Sequence, residues 1–362
     1  MSEYAEQHRR SLRFSFLDGI FAGGMIGFTQ DFFTPFLLVL GAGAGLVGLL
    51  SSIPNLISAL LQLKTADLAE KLGSRKKFIA AFVFIQAMVL FFLAGAAFRG
   101  GVSPVVFIAL VTLFTSLGSF VMPVWGSLMS DLVAEKKRGE YFGWRNKVLG
   151  ILIVVFSFIA GNILHVFEPA KIYQGFALIF GFAGIFRFIS CYFLTRMYEP
   201  PLVPKKEDYF NFFMFIRRRR ESNFAQFVLF VAAFNFTVYL ASPFFAVFIV
   251  RELQFSYFLY TAVTVTATGM IFLMMGRWGR HADRVGNLRV LRFTAPVIAI
   301  LPLLWIFNQD PAYLFFVQCV SGFAWAGFNL CASNFIYDAA KPEKRTRCIA
   351  YFNVVNGTAI CF

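Results

Sequence analysis

The sequence predicts an all-α polytopic membrane protein made of two related six-helix bundles, with ten full spans and a partial eleventh of a twelve-span plan. Three observations carry this reading: long apolar runs, basic residues confined to alternate loops, and polar residue sets that recur at a nearly constant offset. Of 362 residues, 59% are hydrophobic and 14% charged, against roughly 25% charged in a typical soluble domain. The mean hydropathy is +0.70. A soluble core cannot absorb that much apolar surface, and the runs are too long for barrel strands, so lipid is the solvent.

Apolar spans fall near 14–38, 43–63, 78–98, 103–128, 147–166, 173–195, 224–249, 256–275, 290–307 and 312–337, with another beginning near 349. The net charge of +14 raises the question of nucleic acid. Position answers it, because 29 of the 33 Lys and Arg residues lie in the N-terminal segment and every second loop. The opposite loops hold Arg99, Lys171 and Arg251, and Arg187 lies within a span. This bias is the positive-inside pattern, which predicts a multi-pass protein of the cytoplasmic (inner) membrane with a cytoplasmic N terminus. Basicity is then topological and implies no nucleic acid. The polar start, Met1 to Arg13, precedes a span too long for a signal-peptide core, so no cleaved leader is expected. Five cysteines, in spans or at their cytoplasmic ends, read as packing residues rather than a disulfide framework.

The repeat rests on three residue sets. The loop after the second span, Ala69-Glu70-Lys71-Leu72-Gly73-Ser74-Arg75-Lys76, matches the loop after the eighth, Ala282-Asp283-Arg284-Val285-Gly286-Asn287-Leu288-Arg289, at an offset of 213 (73 to 286). After the fourth and tenth spans, Asp131, Arg138, Asn146 and Gly150 align with Asp338, Arg345, Asn353 and Gly357 at an offset of 207. Inside the membrane, Phe28-Thr29 and Thr34-Pro35-Phe36 align with Phe236-Thr237 and Ser242-Pro243-Phe244 at an offset of 208. A duplicated unit whose copies both enter from the cytoplasm requires a parallel repeat about an axis along the membrane normal. The domains read as 1–199, a linker at 200–222 and 223–362, the last ending inside the eleventh span, as in a fragment of a longer chain.

Residues 279–289 resemble the cytoplasmic signature loop of the major facilitator superfamily, and residues 69–77 resemble its copy in the first half. The first copy departs by Glu70 in place of the usual Asp and Ser74 where a base is common. The resemblance covers the whole chain, and the stretch Asp131 to Asn146, with Phe142-Gly143-Trp144-Arg145-Asn146, looks like an uncharacterised bacterial branch. It implies twelve spans in two six-helix halves and secondary active transport of a small solute, by rocking of the halves about a midplane site. A proton is a candidate coupling ion, a monomer is expected, and no cofactor is implied. No Walker loop is present, so ATP is not coupled directly, and no convergent catalytic set suggests an enzyme. A non-transporting receptor or scaffold of the same fold is the alternative.

For the signature loops, Glu70, Lys71, Gly73, Lys76, Asp283, Arg284, Gly286 and Arg289 read as gating residues, whose charges bridge helix ends around a glycine turn. The competing reading is a solvated topogenic loop. Within the membrane, Asp31 lies about 5 residues, roughly 7–8 Å, beyond the middle of the first span. An ionisable residue there is costly unless it meets water or a partner. Gly27, Asp31 and Thr34 share one helical face, and Asn235, Tyr239 and Ser242 occupy equivalent places, so the two stripes read as walls of a substrate or proton pathway. Asp31 is the candidate proton carrier, since a carboxyl held from water exchanges protons nearer to physiological pH. Surface hydration of Asp31 is the alternative.

Arg187 either snorkels to the cytoplasmic boundary or lines the cavity. Asn329 and Ser333 form a further stripe in the tenth span, and Asn55 and Gln86 are isolated amides that serve either ligand or interhelical contact. Asp18 reads as a structural residue that pairs with Arg13 or favours the helix N-terminus. The histidines His8, His165 and His281 are dispersed and suggest no metal site. Between the halves, Tyr209–Ile216 beside Arg217–Arg220 reads as an interfacial segment attracted to anionic lipid.

Overall fold

Backbone polar groups have no water to bond in a bilayer, so an apolar chain of this length satisfies them within helices. The computed structural model describes residues 3–62, 64–133, 138–167, 171–200, 223–339 and 345–361, and helices dominate throughout. The interfacial segment proposed at 209–220 lies outside the described residues.

The chain divides into two compact units, Met1–Pro204 and Lys205–Phe362. The first holds α1 (Glu3–Thr29), α2 (Phe33–Val39), α3 (Ala44–Gln62), α4 (Thr65–Leu72), α5 (Arg75–Phe98), α6 (Pro104–Leu132), α7 (Arg138–Phe167) and α8 (Ile172–Thr195). The second holds α9 (Asn223–Tyr239), α10 (Ser242–Val247), a π-helical turn (Phe248–Glu252), α11 (Tyr257–Val285), α12 (Asn287–Phe307), α13 (Pro311–Ala339) and α14 (Arg345–Cys361). Serine caps mark several starts: Ser74, Ser103 and Ser256 accept from the backbone N–H three residues on.

Among the described residues, nine segments are long and apolar enough to cross a membrane. The expectation of ten full spans and a partial eleventh is therefore not confirmed as a count. The first span falls short because its helix contains Arg13 and Asp18 and stops at Thr29, before the apolar run of α2. The last, α14, has 17 residues.

Both first spans break at equivalent places, and proline chemistry explains why. Pro35 and Pro243 lack the N–H that would reach back four residues, to the carbonyls of Asp31 and Tyr239. α1 gives way to a turn at 30–32 before α2, and α9 ends at Tyr239 with a turn before α10. The prolines at the two breaks are 208 residues apart, the offset of the sequence match, and the helix ends around them agree with it to within two residues.

In the first unit α1 packs against α7 and α8, α5 against α6 and α8, and α3 against α6. Gly27 allows α1 its close approach to α7. A Cβ there would lie 2.7 Å from the Phe156 Cβ and 2.8 Å from the Ile153 carbonyl oxygen. Phe32 and Phe36 are fully buried, the latter against Phe107, Phe176 and Phe180. In the second unit α13 packs against α11 and α12, and α9 against α14. Its core gathers Trp278, Trp305, Leu314, Val317 and Phe328.

Candidate functional site

The signature loops form the turns their glycines allow. Gly73 (φ +63°) and Gly286 (φ +87°) are left-handed, a region other residues resist. The two copies then diverge. In the first, Arg75 is buried with its guanidinium 2.7 Å from Asp131 Oδ2 and also donates to Ser127 Oγ and the Pro200 carbonyl. Glu199 caps the start of α5: it accepts from Ser74 Oγ at 2.6 Å and from the backbone N–H of Arg75 at 2.5 Å and Lys76 at 3.3 Å. A carboxylate at a helix N-terminus meets unpaired N–H groups and the positive end of the dipole. Lys71 and Gly73 are exposed and Lys76 half-buried. In the second copy Asp283, Arg284, Gly286 and Arg289 are all exposed. The side chains of Glu70, Arg138, Asp338 and Arg345 lie outside the described residues.

Deeper in the first unit, four helices contribute a buried polar cluster. Arg187 on α8 donates through Nε to Gln86 Oε1 on α5 at 2.8 Å, with Nη2 on the same oxygen, and through Nη1 to Ser190 Oγ at 3.2 Å. Ser190 passes the chain on, donating to Asp18 Oδ1 on α1 at 2.7 Å. Gln86 Nε2 donates to the Phe114 carbonyl on α6 at 2.7 Å. Arg145 on α7 stands 3.9 Å from Asp18 Oδ2, donates to the Ser15 carbonyl at 3.3 Å, and lies over the Trp125 ring at 4.6 Å. Asp18, Gln86, Arg145, Arg187 and Ser190 are all buried. Asp18 therefore faces Arg145 across helices, where the sequence suggested Arg13, because its position on α1 faces the α7–α8 side. Arg187 is buried within the first unit, where Gln86 and Ser190 lie within its reach.

The paired stripes are placed as follows. Gly27 is taken up by contact with α7, and its carbonyl accepts from Ser157 Oγ at 3.1 Å. Asp31 sits half-buried in the turn between α1 and α2, and Thr34 is half-buried on α2. Asn235 donates through Nδ2 to Asn356 Oδ1 at 2.7 Å, joining α9 to α14. Tyr239 and Ser242, both half-buried, flank the second break, and Asn329 and Ser333 are exposed on one face of α13. Asn55 bonds within its own helix, to the Ser51 carbonyl at 2.7 Å.

Sequence reasoning missed Arg75, Glu199, Arg145, Ser190 and Asn356. Arg75 was hidden by the repeat alignment, which sets it against Leu288 and draws attention to Lys76. For Glu199 the signal was only that of an acid just past the end of α8, since its partners at 74–76 lie more than 120 residues earlier in the chain. Asn356 carried none, since amides within apolar spans serve many contacts.

No curated protein matches the chain. Solved structures do align over nearly all of it. A variant of the nucleoside transporter NupG aligns with a TM-score of 0.73 at 14% identity, covering 98% of this chain and 89% of that one. A bacterial homologue of the human lysosomal transporter Spinster, inward-facing and unoccupied, aligns with a TM-score of 0.74 at 16% identity, covering 100% and 82%. At such identities the likeness is one of fold. The family model of the Major Facilitator Superfamily matches residues 19–362. With its apolar helices and repeated glycine loops, this multi-pass membrane transporter belongs to the Major Facilitator Superfamily.

Proposed function

We propose that the protein carries a small solute across the cytoplasmic membrane as a secondary active transporter, by alternating access of its two halves, with the N terminus cytoplasmic. The observation that carries this reading is the repeated break of the first span of each half. Each break sets a polar side chain, Asp31 or Tyr239, four residues before a proline. Interrupted helices in equivalent positions of two halves are the usual pointer to a transporter's binding site. Asn235 and Ser242 flank the second break, and Thr34 the first. These residues, with Asn329 and Ser333, form the substrate pathway of this proposal.

In that cycle Asp31 takes up and releases the coupling proton. Asp18 accepts from Ser190 and stands beside Arg145, and the proposal gives it a structural part. The glycine turns at Gly73 and Gly286 act as the moving corners of the cytoplasmic gate. The Arg75–Asp131 pair and the Glu199 cap hold α5, α6 and the segment after α8 together as one piece. The similar structures are a nucleoside transporter and a bacterial homologue of a lysosomal transporter, so nucleosides belong in the first panel of solutes.

The test is a thermal-stability screen of the purified chain against nucleosides, sugars, carboxylates and drugs, followed by flux of any stabilising compound into proteoliposomes under an imposed pH gradient. Gradient-driven flux that loses its pH dependence in Asp31→Asn supports the proposal. Flux with unchanged pH dependence in that variant removes Asp31 from the proton path. Ligand binding without flux in any gradient favours a receptor of the same fold.

A further inference from the structure

The second unit has a cavity of about 400 Å³ at the signature-loop end of α11 and α12, with α13 behind it. Its lining includes Trp278, His281, Arg289, Val290, Phe293 and Phe323. The apolar wall is firmly built. Trp278 Nε1 donates to the Phe323 carbonyl at 2.8 Å, and its ring lies 4.9 Å from Phe323, 6.2 Å from Phe293 and 5.7 Å from His281, centre to centre. Phe293 is 55% exposed, so the aromatic wall opens outward.

The polar lining is basic: His281 and Arg289. Around it stand the exposed Arg277, Arg280, Arg284 and Arg292, with Asp283 as the acid between 277 and 292. Topology explains the number of arginines in this loop but not why one of them, with a histidine, edges an aromatic cavity. An apolar guest has no use for Arg289, and a free anion has no use for the aromatic wall. A molecule with a phosphate at one end and a hydrocarbon chain at the other uses both.

We propose that this cavity binds one anionic phospholipid of the adjoining leaflet, its phosphate on Arg289 and His281 and the first part of an acyl chain against Trp278, Phe293 and Phe323. Anionic headgroups are drawn to clustered bases at the membrane surface. Because His281, Val285 and Arg289 belong to the signature loop, the bound lipid braces the turn at Gly286 and ties that corner to membrane composition.

The experiment uses the full chain in neutral detergent micelles doped with phosphatidylglycerol or phosphatidylcholine, with inorganic phosphate as a third arm. Native mass spectrometry counts bound lipid, and melting follows stabilisation. Neither sidedness nor transport enters, so the result is independent of the transport cycle proposed above. Phosphatidylglycerol should be retained in preference to phosphatidylcholine, and Arg289→Ala should lower its occupancy about fivefold. Arg289→Lys should restore most of it, Phe293→Ala should weaken both lipids, and Arg280→Ala, outside the lining, should change occupancy less than about twofold. Melting without lipid identifies any variant that fails to fold, and the remaining variants carry the test. Equal losses in Arg289→Ala and Arg280→Ala would show diffuse surface attraction and overturn the proposal. So would stabilisation by inorganic phosphate equal to that by phosphatidylglycerol.

Discussion

The two units share helices, proline breaks and glycine turns, yet they bury different chemistry. In the first, Asp18, Arg75, Gln86, Arg145, Arg187 and Ser190 are buried and joined by side-chain bonds that cross helices. In the second, aromatic residues such as Trp278 aside, the buried polar side chains among the described residues are Thr261 and Thr294, whose hydroxyls return to carbonyls of their own helices. Its core is aromatic and aliphatic instead. The difference teaches that a duplicated backbone plan does not carry duplicated interactions. A buried ion in lipid demands partners on neighbouring helices, whereas a threonine satisfied within its helix leaves the neighbours free to pack by shape alone.

The sharpest way to break this comparison is to remove a charge. Asp18→Ala leaves Arg145 and Arg187 buried without their shared counter-ion, and we expect a loss of about 3–5 kcal/mol in a reversible unfolding measurement in detergent. Thr294→Val in the second unit should cost less than about 1 kcal/mol, since interhelical and intrahelical hydroxyl bonds in membranes are weak. Similar losses in both would erase the distinction.

Next in size is the tie at the first signature loop. Arg75→Ala removes bonds to Asp131, Ser127 and Pro200 and should cost about 1.5–3 kcal/mol. Arg284→Ala in the exposed second copy should stay within about 0.5 kcal/mol, both read from melting curves. Packing comes third. Gly27→Ala sets a Cβ against α7 backbone that cannot retreat and should cost about 1–3 kcal/mol. Gly269→Ala has open space and should be neutral or stabilising by up to about 1 kcal/mol. The smallest effect is expected for Asn235→Ala, about 0.6 kcal/mol. That change should leave the stability of the first unit's core untouched, as judged by protease protection of residues 75–98.

Much of the architecture was legible in the sequence, because its causes are local. Apolar runs must become helices in lipid, so the span near 78–98 appears as α5 at Arg75–Phe98 and that near 173–195 as α8 at Ile172–Thr195. The glycine turns were readable for the same reason, since a left-handed corner selects its residue. The number of spans was less secure: the first run, at 14–38, gave no hint that Asp18 would leave its helix too polar to qualify while Pro35 split off α2.

Within the candidate site, Arg187 and Gln86 were visible as polar residues in apolar spans, but their pairing was not. They are 101 residues apart in the chain, and Ser190 and Asp18 are 172 apart. The spans that carry them are apolar on nearly every face, so no hydrophobic stripe marks which side turns inward.

By itself, then, the sequence determined which apolar runs become helices and where the glycine turns between them fall. Those follow from backbone hydrogen bonding and glycine geometry, both of which act within a few residues. Only the tertiary structure decided that Arg75 rather than Lys76 ties the first signature loop, that Glu199 caps α5, and that Asp18 serves two arginines. Such pairings depend on how each helix is rotated and how closely its neighbour approaches, and in lipid that is settled by packing between helices rather than by the pattern along any one of them.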